Sequence, residues 1–588
     1  MSDASLESSQ DAPAVDLADA MVKQGFFTET DAHRARRKAK AMMTTQHQAI
    51  IDLGLATEED TFRTLAELLN LTYWDKQDDQ SVRGHLSDVP LKLLFHYRML
   101  PVEVTPDHVT LAFAEPPKSL DLGNIRLVLG KLVRPVIGSP SWINGLLKDA
   151  FGIGAGTIQQ LHEEKASPSG EMDEVFSVEE SSKDLNVDAS ISDFVDQILM
   201  EAMKLKATDV HLEPYAQSVQ LRYRVDGIMQ SVPVPPDLRR LYSPIVSRLK
   251  IMANLDIAER RLPQDGRISM RVREEPYDIR ISVIPTKHGE SICLRILGRE
   301  SLFLELSQLG MSDSQEHLIR ELVDLPQGLV LVTGPTGSGK TTTLYAALHH
   351  ANDEGRKIIT LEDPVEYQLD GISQIQARED LGLSFSSGLR SILRHDPDVV
   401  LIGEIRDSQT AEIAVRAAHT GHLVLSTLHT NDSVSAITRL LEMGIDPFSL
   451  GSALVGSIAQ RLALKICRRC LETDELMNEG IKSEMAMALQ IPLKEVRSFR
   501  GQGCGFCQNK GTQGRVAIYE FFLLNDGIAD EILPTTRTGK LRQIAREYGW
   551  RSLREEGWAK VQAGIVPAFE VDRLTRRVGI QTSKGQTS

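Results

Sequence analysis

A glycine-rich decapeptide, Gly334-Pro335-Thr336-Gly337-Ser338-Gly339-Lys340-Thr341-Thr342-Thr343, most constrains what this 588-residue chain can fold into. It follows the apolar run Leu329-Val330-Leu331-Val332 and continues into the helix-type stretch Thr341 to Leu348. That is the pattern G-x-x-x-x-G-K-[ST] in the strand–loop–helix setting it needs. Glycines let successive backbone N–H groups turn onto a triphosphate, and the helix N-terminus adds partial positive charge. Residues 334–342 form the expected nucleotide-binding set. Lys340 would reach the β- and γ-phosphates of ATP, and the Thr341 hydroxyl would ligate Mg²⁺.

A phosphate loop alone hydrolyses nothing, and the strands after it supply carboxylates. Lys357-Ile358-Ile359-Thr360-Leu361 ends in Glu362, Asp363 and Glu366, and Val399-Val400-Leu401-Ile402 ends in Gly403-Glu404. Either cluster alone would pass as a solvated acidic turn. Carboxylates at the C-terminal ends of parallel strands, however, lie where open α/β sheets bind ligands. A third apolar strand, Leu423 to Leu428, is flanked by His422 and His429. A histidine there can be a packed core residue or cap, or it can sense a terminal phosphate.

Four of the five cysteines form Cys467-x₂-Cys470 and Cys504-x₂-Cys507. Paired C-x₂-C knuckles can place four thiolates around one Zn²⁺ with no open ligand position, which makes the metal structural. The wide gap between knuckles requires a sizeable insert over 471–503. Cys293 reads as a small buried apolar residue.

Length implies several domains. Residues 1–14 are polar and expected as a disordered tail. Between 15 and 153 a repeat offset by 29 residues aligns Ala20, Gly25 and Thr28-Glu29-Thr30-Asp31 with Ala49, Gly54 and Thr57-Glu58-Glu59-Asp60. Each copy reads as helix, glycine stop, threonine cap and second helix. The pattern turns mixed from about Leu71, with a strand expected at His108–Phe113. Residues 154–187 read as a flexible linker. An α+β domain is expected over 188–300, an α/β nucleotide domain with a covered parallel sheet over 301–464, a tetracysteine subdomain over 465–520, and a helical C-terminal region over 521–588. In that last region Trp550, Leu553 and Trp558 are expected core.

The net charge of −15 argues against a general nucleic-acid surface. No apolar run approaches the roughly 18 residues of a membrane span, and no signal peptide opens the chain, so a cytoplasmic protein is expected.

The quartet GPTGSGKTTT, ITLEDPVEY, VVLIGEIRD and GHLVLSTLHTND resembles the secretion ATPase superfamily of type II secretion and type IV pilus assembly. These correspond to its Walker A, Asp, Walker B and His boxes. Ala207 to Pro214, Arg260 to Arg267 and His288-Gly289-Glu290 extend the resemblance over roughly 188–578. It implies a RecA-like P-loop domain preceded by a PAS-like α+β domain. It also implies Glu404 as general base or water-orienting group, with Glu362, Asp363 and Glu366 arranging Mg²⁺ and water. His429 and His422 would report on the γ-phosphate. Members are homohexamers in which arginines from a neighbouring region complete the site; Arg280, Arg295, Arg390 and Arg394 fall at the matching places. The tetracysteine insert resembles assembly-type rather than retraction-type members. Region 15–153 resembles, more weakly, the MshEN-like domain that docks on an inner-membrane partner. In some members that domain binds cyclic di-GMP through an R-L-G-x-x-L repeat; here Val15-Asp16-Leu17-Ala18 and Thr45-Gln46-His47-Gln48 stand at those places, so that ligand is not expected. The implied partners are an inner-membrane platform and a docking protein, giving peripheral association with the inner membrane, with no direct nucleic acid. A nucleic-acid motor of the same nucleotide fold and a nucleotide-gated scaffold are the rival readings.

Overall fold

Thr28 and Thr57 each start a helix by accepting a hydrogen bond from the backbone N–H three residues on, at Asp31 and Asp60. The same threonine–carboxylate arrangement in both copies makes the repeat structural: helices Leu17–Lys23, Glu29–Ala41, Gln46–Asp52 and Glu58–Leu68. Gly25 and Gly54 stand at positive φ just after the first helix of each copy. Leu17, Ala18, Met21, Ala32, Ala35 and Ile50 form the small core between them. The computed structural model describes residues 16–42, 44–75, 79–153, 155, 180–272, 275–297 and 305–575. The expected tail at 1–14 lies outside them, as does most of the expected linker.

The chain divides into two units, 1–297 and 298–588. In the first, the helical repeat is followed by a four-stranded sheet in the order Thr72–Tyr73, Leu132–Ile137, His108–Phe113, Met99–Val104. Only the last pairing is antiparallel. Helix Glu180–Lys204 begins inside the segment expected as linker. Its C-terminal half is anchored by buried Ile191, Phe194, Val195, Ile198, Leu199 and Ala202, and extending an anchored helix gains one hydrogen bond per residue ordered. An antiparallel six-stranded sheet follows, ordered Ile228–Val232, Val219–Val225, Ala207–Pro214, Gly289–Leu297, Glu275–Thr286, Gln264–Val272. Alternation gives it one apolar face, covered by helices Glu180–Lys204 and Leu238–Met252, and one polar face. Cys293 pairs with His211 and Ser282 on that polar face and is half-buried, so it is not the core residue expected; the strand's period of two places Ile292 and Leu294 inward instead.

The second unit is built on a seven-stranded sheet ordered Ser373–Gln376, Ile358–Glu362, Val399–Ile402, Leu423–Leu428, Gly328–Thr333, Leu454–Ile466, Thr512–Leu523. All pairings are parallel but the last. Helices cover both faces, and the four central strands are buried at every position, each Val, Leu or Ile contributing about 1.5–3 kcal/mol. The expected boundary at 464/465 falls inside strand Leu454–Ile466. That strand and Thr512–Leu523, on either side of the cysteine insert, pair with each other as the outer edge of the nucleotide sheet. The insert proper is therefore an excursion from a long hairpin, and burial of Ala463, Ile518, Leu553, Trp558 and Val571 in one cluster ties the C-terminal helices to the same hairpin. No described helix is long and apolar enough to cross a membrane.

Candidate nucleotide site and tetracysteine centre

Because the strands run parallel, their C-terminal ends line one edge of the sheet, and the phosphate loop leaves the strand Gly328–Thr333 at that edge. Gly334 and Gly339 have φ of 148° and 89°. A Cβ at Gly334 would stand 2.6 Å from the Gln460 carbonyl oxygen, and one at Gly339 would stand 2.7 Å from Gln460 Nε2. Glycine is what lets the loop lie against the neighbouring strand. Helix Lys340–Ala351 starts with no side-chain cap, which leaves its first N–H groups for a ligand. Lys340 Nζ donates to the carbonyls of Gly334 (2.8 Å) and Pro335 (3.2 Å), and burial pushes its pKa down. The hydroxyls of Thr333 and Ser338 are buried with no hydrogen-bond partner. Pro335, Thr336, Gly337 and Thr341 form the exposed rim, with Thr342 half-buried behind it. Unspent donors around a glycine cradle fit a polyphosphate.

Glu404 follows the strand Val399–Ile402, next but one to the loop strand in the sheet. Arg406 pairs with its Oε1, and His429 Nε2 lies 3.3 Å from its Oε2. Burial raises the Glu404 pKa, but the hydrogen bond and charge of Arg406, with His429, outweigh it and hold the carboxyl below its ordinary value. Glu362 differs. It is 4% exposed and wholly engaged, accepting from Tyr345, from Thr360 Oγ1 at 2.6 Å and from Gln374 Nε2 at 3.3 Å. It braces the loop helix against the next strand. Asp363 is exposed, 3.9 Å from Arg406, and the Glu366 backbone N–H donates to Tyr345.

The structure does not bring His422 to this edge. It precedes strand Leu423–Leu428, whereas His429 follows it, and six residues of strand span roughly 20 Å. His422 Nδ1 lies instead 3.0 Å from the Ala417 carbonyl, where it closes a helix-to-strand turn. Arg390 and Arg394 sit at the end of helix Phe385–Ile392 and just beyond, before strand Val399–Ile402 enters the sheet. That is the edge opposite Glu404. Arg280 and Arg295 belong to the first unit. They face each other directly across neighbouring strands, in a row that runs Arg224, Asp209, Arg295, Arg280, Arg267 over five strands of the polar sheet face. Asp209 is the one acidic member, 3.1 Å from Arg295 and 3.6 Å from Arg224.

The four cysteine sulfurs lie within 4.8 Å of one another. Cys467–Cys504, Cys470–Cys507 and Cys504–Cys507 are 3.9, 3.8 and 3.7 Å apart. Zinc–sulfur bonds of about 2.3 Å give a tetrahedron with edges of about 3.8 Å, so the residues fit Zn²⁺. Backbone N–H groups of Gly503, Cys504 and Gly511 donate to the sulfurs at 3.3 Å. Burial raises the Cys507 thiol, yet the Cys504 and Gly511 N–H groups, with the Cys504 and Cys470 side chains, bring it down to about 6. Gly501 and Gly511 make the fold possible, since a Cβ on Gly501 would stand 1.9 Å from the Gly511 carbonyl oxygen.

Sequence reading missed several residues at the nucleotide edge. Arg406 was visible inside its box but not as the partner of Glu404. Gln460 accepts from Thr343 Oγ1 at 2.9 Å, and Arg461 donates to Asn431 at 3.0 Å. Their only sequence signal was two polar residues in a long apolar strand. Arg267 and Arg224 needed the strand register.

The family described as Type II/IV secretion system protein matches residues 184–573, and the MshEN domain family matches 69–157. The latter begins after the four-helix repeat, whereas the whole of 15–153 was expected in that class. Type II secretion system protein E of Xanthomonas campestris pv. campestris is 37% identical over 563 residues, which is 95% of this chain and 98% of its own. The type IV pilus assembly ATPase PilB of Myxococcus xanthus is 35% identical over 560 residues, 94% of this chain and 98% of its own. A crystal structure of the pilus retraction motor PilT with bound ADP covers 65% of this chain and 96% of its own at 28% identity, with a TM-score of 0.43.

Proposed function

The chain belongs to the type II/IV secretion system protein family, and from that premise we propose how its residues run a secretion or pilus assembly ATPase. One observation carries the reading: an ionised carboxylate, Glu404, held by Arg406 and His429 at the same sheet edge as an unspent phosphate loop. On ATP binding Lys340 exchanges its two loop carbonyls for phosphate oxygens, and the loop N–H groups cradle the chain of phosphates. Thr341 would hold Mg²⁺, which neutralises phosphate charge when bound. Glu404 orients water in line with the terminal phosphate and takes its proton. His429, hydrogen-bonded to that carboxylate, moves when the phosphate leaves and so passes the change to the loop at 430–434.

Arg390 and Arg394 lie at the far edge from their own loop, which supports a ring, read as a hexamer, in which arginines of one chain serve the site of the next. Arg280 and Arg295 belong to the same proposal. Neutralising charge on a transferring phosphoryl group is worth about 10³–10⁵-fold when supplied by arginine. The four cysteines would hold zinc as a structural cross-link of the insert. The driven partners would be an inner-membrane platform and a docking protein reached through the N-terminal region, with the ATPase on the cytoplasmic side.

The test is subunit complementation. Lys340→Ala and Arg390→Ala/Arg394→Ala chains are each expected to be inactive alone and to recover turnover when mixed. Inactive mixtures that still co-assemble would overturn the shared site.

A further inference from the structure

Arg461 is the half-buried cation of the nucleotide edge that the account above leaves unused. Its Nη1 donates to the Gln460 carbonyl at 3.0 Å, and its Nη2 to the Asn431 carbonyl at 3.0 Å and to Asn431 Oδ1 at 3.4 Å. All three acceptors are neutral. The two carboxylates whose charge reaches it are hydrogen-bonded elsewhere. Asp432 holds Arg542 and Ser435, while Glu520 accepts from the Ser433 N–H, the Ser433 hydroxyl and the Leu553 N–H. By contrast, half-buried Arg554 has Glu484 and Asp572, and half-buried Arg320 has Glu316. A guanidinium is built for two-pronged binding of an oxyanion, and neutral carbonyls use it poorly.

Its position says which oxyanion. Thr333, the last residue of the loop strand, pairs with Ala459, so Arg461 stands two residues past the end of that strand. Strand Gly328–Thr333 lies between Leu423–Leu428 and Leu454–Ile466. An Arg461 side chain that reaches Asn431, beyond the former, from the latter must cross over the end of the loop strand where Gly334 begins. Its charge is also felt by Lys340, whose amine is held down first by burial and then by this second cation, against the pull of Glu404. Two cations, each satisfied only by neutral carbonyls, thus flank the start of one phosphate loop.

We propose that Arg461 is a second phosphate-binding cation, which leaves the Asn431 carbonyl for the terminal phosphate of ATP bound in its own chain. The inference rests on the ATPase reading and adds a contact to it. Arg461 would also link the loop strand to the His429–Asn431 segment in a way that depends on whether that phosphate is present.

The experiment measures ATP and ADP affinity by calorimetry, turnover, and thermal unfolding for the full chain, Arg461→Gln, Arg461→Lys and Lys340→Ala. A hydrogen-bonded charge contact corresponds to roughly 10–100-fold in affinity. Arg461→Gln should lose about that much for ATP and far less for ADP, and Arg461→Lys should recover part of it. Equal losses for ATP and ADP, or losses that track a lowered unfolding midpoint, would give Arg461 a structural role only and overturn the proposal. Unchanged affinities would overturn it too. Failure of the unsubstituted chain to bind or hydrolyse ATP would instead sink the ATPase reading.

Discussion

At the phosphate loop, buried hydroxyls face no partner and two cations lean on neutral carbonyls; at the cysteine knuckles, four sulfurs already stand at the spacing of a tetrahedron and collect three backbone N–H bonds. Both places depend on glycines that let backbone approach backbone. They differ in what the chain leaves unsatisfied. A turnover substrate must enter and leave, so its donors are held ready and part of their hydrogen bonding is deferred. A structural ion stays, so its ligand shell is complete and closed.

That contrast can be broken at either end. Glu404→Gln should cut turnover by about 10²–10⁴-fold while nucleotide still binds; a tight-binding, fully active variant would remove Glu404 from the chemistry. Cys504→Ser should lower zinc from about one per chain to none, as a closed four-thiolate site predicts. It should also open 467–511 to protease while ATP binding survives. Retained metal would show the site to be less complete than its geometry implies.

A finer test uses protonation. Burial raises the Glu404 pKa, and Arg406 and His429 bring it below the ordinary value. Glu404 thus contributes stability above the unfolded carboxylate pKa and loses it as pH falls through the lower folded value. Arg406→Ala leaves burial less opposed, so the acid limb of turnover should move to higher pH. A limb that stays in place or moves down would assign the pH dependence to another group. The smallest effect belongs to the N-terminal repeat. Thr57→Ala removes the cap that accepts from Asp60 and should cost about 1 kcal/mol, read by denaturant unfolding of the full chain with ATP turnover unchanged.

The parts legible in the sequence are those whose physics is local. The loop, the two carboxylate-ended strands, the threonine caps and the C-x₂-C knuckles each lie within about a dozen residues, where dihedral preference, capping and ligand spacing act. Glu362, by contrast, looked like its neighbours Asp363 and Glu366 and is buried under Tyr345, Thr360 and Gln374. His422 and His429 flank one strand in the sequence, and strand direction puts them at opposite edges of the sheet. The 464/465 boundary failed because Leu454–Ile466 and Thr512–Leu523 pair across the whole cysteine insert.

The sequence by itself determined a G-x-x-x-x-G-K-[ST] loop, two carboxylate-ended strands and two C-x₂-C knuckles, because each of these is written in contiguous residues. Tertiary structure decided which of them act together. Only the order of the parallel strands sets His429 against Glu404 and Arg461 against Asn431, since that order comes from burying both faces of a sheet and not from any short-range preference.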